Sequence, residues 1–229
     1  MRVLVVEDDP RLAELLARSL RERSYAVDVV GDGEAALVEA VVNPYDAVIL
    51  DVVLPGRSGI EVCRELRRRG AECPILMLTG RSAKIDVVVG LEVGADEYIT
   101  KPLDARELTA RLAAHLRRVH RTPRASRAGI VRVGEVEIDT EGRRVRVGRR
   151  EVNLTLTEFN LLALLAANPG RVLTRSQMLE KVWGYLAEVD HHSVDPHVQR
   201  LRRKLGEQGD CGVTLEAVPG LGYRLSPGA

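Results

Sequence analysis

Residues 3–9 read VLVVEDD, four apolar residues stopped by three acids, and residues 47–51 repeat the arrangement as AVILD. Short runs of wholly apolar residues fit strands buried on both faces, as in a parallel sheet covered by helices. If the two runs are neighbouring parallel strands, their carboxyl ends place Glu7, Asp8 and Asp51 around one pocket, the usual site in an open α/β sheet. Carboxylates so close repel, at roughly 4 kcal/mol per pair for about 4 Å and an effective dielectric near 20. A divalent cation removes that cost. A few oxygen ligands, with positions left for water and a phosphate, suit Mg²⁺. Taken singly, each acid reads as a loop cap; the set of three carries the reading.

Working outward, the same grammar continues to residue 118. Strands are expected at 2–6, 26–30, 46–50, 74–78 and 97–100, with amphipathic helices at 11–23, 33–42, 59–69, 84–93 and 104–118. Five βα units in succession predict an α/β fold with a doubly wound parallel sheet. The fourth strand ends in Thr79-Gly80 and the fifth in Thr100-Lys101-Pro102. In a parallel sheet those ends share an edge with Asp8 and Asp51, so the pocket gains a hydroxyl and an ammonium.

Net charge is +1, yet 17 basic residues face 20 acidic ones through residue 120, and 17 face 13 beyond it. An acidic first half is consistent with a cation site, and a basic second half with a polyanion. Cys63, Cys73 and Cys211 form no CxxC pair, which argues against both a disulfide framework and a zinc site. The amino terminus has neither signal-peptide nor anchor character, and no apolar stretch approaches the roughly 18 residues of a membrane span. A cytoplasmic protein with no membrane partner is expected.

Residues 121–129 (RTPRASRAG) are basic and contain proline and small residues, which reads as a linker between a domain over 1–120 and one over 130–229. Short strands are expected at 130–133, 135–139, 143–147 and 151–154. Thr155-x-x-Glu158 and Thr174-x-x-Gln177 are capping boxes that announce helices, and Asn168-Pro169-Gly170 ends the first of these. A third helix over 194–207 is apolar at Val194, Val198, Leu201 and Leu205, with His197, Gln199, Arg200, Arg203 and Lys204 on its other face. Residues 213–225 form a β-hairpin turning at Pro219-Gly220-Leu221-Gly222. Three helices and a hairpin predict an α+β winged helix-turn-helix whose third helix can enter a major groove. Trp183 and Phe159 read as core aromatics. His191 and His192, near His197, lack a cysteine or acidic ligand to complete a metal set.

These residues carry a resemblance. The first half looks like a flavodoxin-like (βα)5 receiver domain, and the whole chain resembles the OmpR/PhoB subfamily of two-component response regulators. VLVVEDD, LDVVLPGRSG, ILMLTGR and GADEYITKP carry the likeness in the first half, and LTLTEF, VWGY and VDPHVQRLRRKL in the second. The resemblance implies that Asp51 accepts a phosphoryl group from a sensor histidine kinase. It implies that Asp8, Asp51 and the backbone carbonyl of Val53 bind Mg²⁺ directly, with Glu7 acting through water. Lys101 would pair with the acyl phosphate, while Thr79 and Tyr98 would convert the charge change into a shape change. A homodimer is then expected through the face of helix 84–93, strand 97–100 and helix 104–118, using Asp96, Glu97, Glu107, Arg111 and Arg118. Val87 stands where a basic partner of Glu107 is expected, and Leu103 where the family usually has an aromatic.

In the second half the resemblance points to double-stranded promoter DNA, with RNA polymerase as a further partner. Arg200 is the best candidate for a base contact. Ser193 and His197 match backbone-contacting positions, Arg202, Arg203 and Lys204 supply charge, Pro196 could meet a thymine methyl, and Tyr223 completes the DNA-binding set. Pro219 and Ala217 replace wing residues that are commonly basic and hydroxylic, so weaker wing contacts are expected. Two other readings stand beside a phosphorylation-switched transcription factor. A Mg²⁺-dependent phosphohydrolase would need a second acid where Val53 stands, and it leaves the basic helix unexplained. A DNA-binding regulator that works without phosphate leaves the Glu7, Asp8, Asp51, Thr79 and Lys101 set unexplained.

Overall fold

The computed structural model describes residues 1–80, 93–120, 129–183, 194–206 and 212–228, with side chains at 117–120 outside that description. The chain divides into two compact units, Met1–Arg117 and Arg118–Ala229. The expected helix over 84–93, Val87, most of the linker, and His191, His192, Ser193 and Cys211 lie outside the described residues.

The first unit runs β1 (Arg2–Val6), α1 (Pro10–Arg21), β2 (Ala26–Val30), α2 (Gly33–Val42), β3 (Ala47–Asp51), α3 (Gly59–Arg68), β4 (Ile75–Thr79), β5 (Glu97–Thr100) and α4 (Ala105–His120). Its strands pair in parallel in the order β2-β1-β3-β4-β5. Strand order reverses beside β1, and crevices at such reversals bind ligands outside the carboxyl ends of the strands. β3 and β4 are buried at every residue, as strands covered on both faces must be. Each start of α1, α2 and α3 is capped by a side chain that satisfies an otherwise orphaned N–H: Asp9, Asp32 and Ser58 respectively. Asp9, the third acid of the opening run, is thereby committed to α1, its Oδ1 accepting from the Arg11 N–H at 2.9 Å.

The second unit opens with an antiparallel sheet, β6 (Ile130–Val133), β7 (Val136–Asp139), β8 (Arg144–Val147) and β9 (Arg150–Glu151), in that order. The strand expected over 151–154 is shorter than the sequence suggests. Val152 and Leu154 turn into the core instead, ahead of the Thr155 cap. Then come α5 (Leu156–Ala166), β10 (Leu173–Thr174), α6 (Arg175–Val182), α7 (Val194–Gly206), β11 (Val213–Val218) and β12 (Gly222–Pro227). Both capping boxes form. β10 has no counterpart in the sequence reading; it pairs with β12 and adds a third strand to the hairpin. Gly222 is required there, because a Cβ would collide with the Leu173 carbonyl. The core gathers Phe159, Leu161, Leu162 and Trp183 with the apolar stripe of α7 and with Leu215 and Leu225 of the hairpin.

Candidate functional site

Register sets the acidic pocket. Val6 pairs with Leu50, so Glu7 and Asp51 leave neighbouring strands at the same level; Asp51 pairs with Leu78, which puts Thr79 one residue further along the next strand. Carboxylate oxygens of Glu7, Asp8 and Asp51 all lie within 4.8 Å of one another. Lys101 arrives from the end of β5, its N–H bonded to the Thr79 carbonyl at 2.6 Å. Its ammonium donates to Asp51 Oδ2 at 2.7 Å and to Glu7 Oε2 at 2.8 Å. The other Asp51 oxygen accepts from the Val53 N–H at 3.3 Å. Glu7 and Asp51 are buried, whereas Asp8 and Val53 are exposed, so the pocket has a dry floor and an open rim.

Burial raises the Glu7 carboxyl, and the Asp51 charge adds to it, against the opposing bond from Lys101. For Lys101, burial disfavours the ammonium, but the bonds from Asp51 and Glu7 prevail and raise it. Three converging carboxylates of which one reaches the surface suit a hard divalent cation with open coordination positions. Gly59, at the start of α3, leaves no room for a side chain: a Cβ there would overlap the Asp51 carbonyl oxygen.

Thr79 is buried, its hydroxyl donating weakly to the Gly80 carbonyl at 3.4 Å. Tyr98 is half-buried and its hydroxyl donates to Met77 Sδ at 2.9 Å.

Asp96 and Glu97, expected to serve the dimer face, are both turned inward within this unit. Asp96 is wholly buried; its Oδ2 accepts from Arg67 Nη2 at 2.5 Å and from the Ile75 N–H at 2.8 Å. Arg67 of α3 also donates to the carbonyls of Ala71, Cys73 and Gly94, so Asp96 belongs to a clamp between α3 and the sheet. Glu97 is 5% exposed and meets Arg111 Nη1 at 2.5 Å and His115 Nε2 at 2.7 Å. Glu107 is exposed and binds Arg111 along α4. The Arg118 side chain lies outside the described residues.

In the second unit the polar side of α7 splits in two. Arg200 is 6% exposed and His197 fully buried, so neither is presented outward as expected. Arg200 Nε donates to Glu158 Oε1 at 3.0 Å, and His197 packs against Trp183 with ring centroids 5.3 Å apart. Lys204, half-buried, donates to Glu158 Oε2 at 2.7 Å. Burial opposes ionisation of Glu158, yet Lys204 and Arg200 outweigh it and hold the carboxyl below its usual range. Tyr223 is likewise turned in: its hydroxyl donates to Asp195 Oδ1 at 2.9 Å, and Arg175 lies over its ring and pairs with Asp195 at 2.7 Å. Arg202 Nε donates to the Leu215 carbonyl at 2.6 Å, tying α7 to the hairpin. Arg202, Arg203 and Gln199 are exposed, Pro196 is half-buried, and Pro219, Gly220 and Leu221 form the exposed tip of the wing.

The sequence reading put Gln199 on the polar face of the helix without giving it a role, and it is exposed there. The signal was available: at about 100° per residue, Pro196, Gln199 and Arg203 lie opposite the apolar stripe, whereas His197 and Lys204 flank it. The inward turn of Arg200 needs Glu158, 42 residues away, and no local pattern announces it.

Known proteins extend this picture. A family model described as the response regulator receiver domain matches residues 3–113, and one described as the C-terminal region of transcriptional regulatory proteins matches residues 149–225. The sensory transduction protein RegX3 of Mycolicibacterium smegmatis is 46% identical over 224 residues, covering 97% of this chain and 98% of that protein. The DNA-binding response regulator MtrA of the same organism is 43% identical over 226 residues, with coverage of 99% and 97%. Among solved structures, a mutant of RitR aligns with a TM-score of 0.76 at 30% identity over 99% of both chains. Because relatives at this identity run the length of both units, with the parallel sheet and its acidic edge in the first and the helix-and-hairpin arrangement in the second, the chain belongs to the OmpR/PhoB-type two-component response regulators.

Proposed function

We propose that Asp51 is the phosphoryl acceptor of this regulator and that its modification controls promoter binding by the second unit. The convergence of the Lys101 ammonium and three carboxylates on one sheet edge carries this reading. Asp8, Asp51 and the Val53 carbonyl would hold Mg²⁺, with Glu7 acting through water; the ion would supply charge neutralisation for the incoming phosphoryl oxygens. Asp51, bonded to the Lys101 ammonium, attacks phosphorus, so a P–O bond forms as the P–N bond of the kinase phosphohistidine breaks and the imidazole leaves. Lys101 then pairs with a phosphoryl oxygen as a point charge. Thr79 turns toward the new oxygens, and Tyr98 follows into the vacated space. Slow autodephosphorylation would reset the state.

Modification would favour a homodimer through the helix 84–93, β5 and α4 face, on which Glu107 and Arg118 remain candidates for intersubunit pairs. In the second unit, α7 would enter the major groove, with phosphate contacts from Arg202, Arg203 and the Ser193 region, and RNA polymerase would be engaged at the promoter. Incubation with Mg²⁺ and beryllofluoride or acetyl phosphate, with Asp51→Asn as control, tests the reading. A mass shift on Asp51 accompanied by changed assembly and promoter affinity is expected. Modification that leaves both unchanged would favour a regulator that works without phosphate.

A further inference from the structure

Among the described residues, one side of α7 faces outward. His197, Arg200 and Lys204 lie on the flank that meets α5 and Trp183, where Glu158 binds the latter two cations. Asp195 and Arg202 are bonded to the hairpin through Tyr223 and the Leu215 carbonyl. Opposite the apolar stripe stand Pro196, Gln199 and Arg203, each about one turn from the next. Gln199 is in the middle of this row and exposed.

On a helix lying in a major groove, outward side chains can meet base edges, which specify sequence, while neighbouring cations meet phosphates, which position the helix. The chemistry of an amide then selects the base. Its carbonyl accepts and its NH₂ donates, which complements the N6 donor and N7 acceptor of adenine. Guanine shows two acceptors at the corresponding edge and leaves the amide oxygen facing one of them. Pro196, one turn earlier, offers only apolar ring carbons, which match the methyl group of thymine.

We propose that Gln199 is the base-reading residue of this chain, taking an adenine bidentately in the major groove with Pro196 against a neighbouring thymine methyl, while Glu158 withholds Arg200 from the groove. The inference rests on the second unit binding DNA through α7.

The experiment enriches sequences from a pool of random double-stranded DNA with the full-length chain in Mg²⁺ and beryllofluoride, in parallel with Gln199→Ala, Gln199→Arg and Arg203→Ala. Gln199 is exposed, so its variants keep the fold, which Trp183 fluorescence verifies. The unaltered chain should enrich a site with a defined A·T pair at which Gln199→Ala loses roughly five- to 150-fold in discrimination, the worth of one bidentate base contact. Gln199→Arg should move that preference to guanine, and Arg203→Ala should weaken all sequences alike. Replacing the adjoining thymine by deoxyuridine should weaken the unaltered chain but not Pro196→Ala. A base profile that Gln199→Ala leaves intact at every position overturns this inference alone. If the unaltered chain enriches no sequence, the DNA-binding reading falls and the inference falls with it.

Discussion

Glu158→Gln removes one charge from the interior of the second unit and strands another. Glu158 has no exposed surface and Arg200 is 6% exposed, so the guanidinium stays buried without its carboxylate. Removing one partner of a buried pair costs about 3–5 kcal/mol. Lys204, whose side chain is 28% exposed, can swing to water and adds little. The amide oxygen of glutamine can still accept from the Thr155 N–H, so the helix cap, worth about 1 kcal/mol, largely survives and the loss isolates the charge. Arg200→Met leaves Glu158 with Lys204 and the cap, and should cost less, about 1–3 kcal/mol. The double variant should lose less than the sum of the two, with a coupling of about 1–3 kcal/mol. Urea unfolding of the full chain measures all three. Trp183 is the single tryptophan and is 5% exposed in the core of the second unit, so its fluorescence follows that unit. Losses that add within about 0.5 kcal/mol would refute the pairing. So would an Arg200→Met variant of unchanged stability that has lost base discrimination, which would put Arg200 at the DNA.

Glu97→Gln tests the buried cluster on β5 in the same currency but through pH. Although burial raises the Glu97 carboxyl, the bonds from His115 and Arg111 hold it below the ordinary value of 4.5, so its stabilisation is present above that value and fades as pH falls through the lower folded one. The variant should therefore cost about 3 kcal/mol near neutrality and progressively less in acid; a deficit as large at about pH 3 as at pH 7 excludes charge as the cause. Asp8→Asn removes a repelling, exposed carboxylate, so melting in chelator should stay level or rise, while the upward shift produced by Mg²⁺ in the unaltered chain should shrink. An undiminished Mg²⁺ shift by scanning calorimetry would take Asp8 out of the cation site. Gly59→Ala drives a methyl group into the Asp51 carbonyl and should cost at least about 2 kcal/mol of receiver stability together with slower acetyl phosphate labelling; wild-type labelling would show that α3 can yield.

The parallel sheet was legible because strands buried on both faces must be apolar throughout, and because the acids that end β1 and β3 mark their carboxyl ends. Both capping boxes were legible for a similar reason: Thr155 with Glu158 and Thr174 with Gln177 act over three residues, and so does their sequence signal. Burial of the polar site residues was not legible: Asp96, Glu97, Arg200, His197 and Tyr223, given their roles by the family resemblance, are each drawn inward by a partner elsewhere in the sequence. Asp96 follows Arg67, Arg200 follows Glu158, and Tyr223 follows Asp195, at separations of 29, 42 and 28 residues. Glu158 illustrates the difficulty: its capping role was visible in sequence, and its second role, as counter-ion to two cations of α7, was not.

That double role has an evolutionary corollary. The orientation of α7 is fastened from behind by Glu158 and from the side by Asp195 and Arg202, and among the described residues Pro196 and Gln199 take no part in that fastening. A duplicated gene could therefore acquire a new set of promoters by exchanging one or two codons at Pro196 or Gln199, with no compensating change in the scaffold, and paralogues of this regulator should diverge there first.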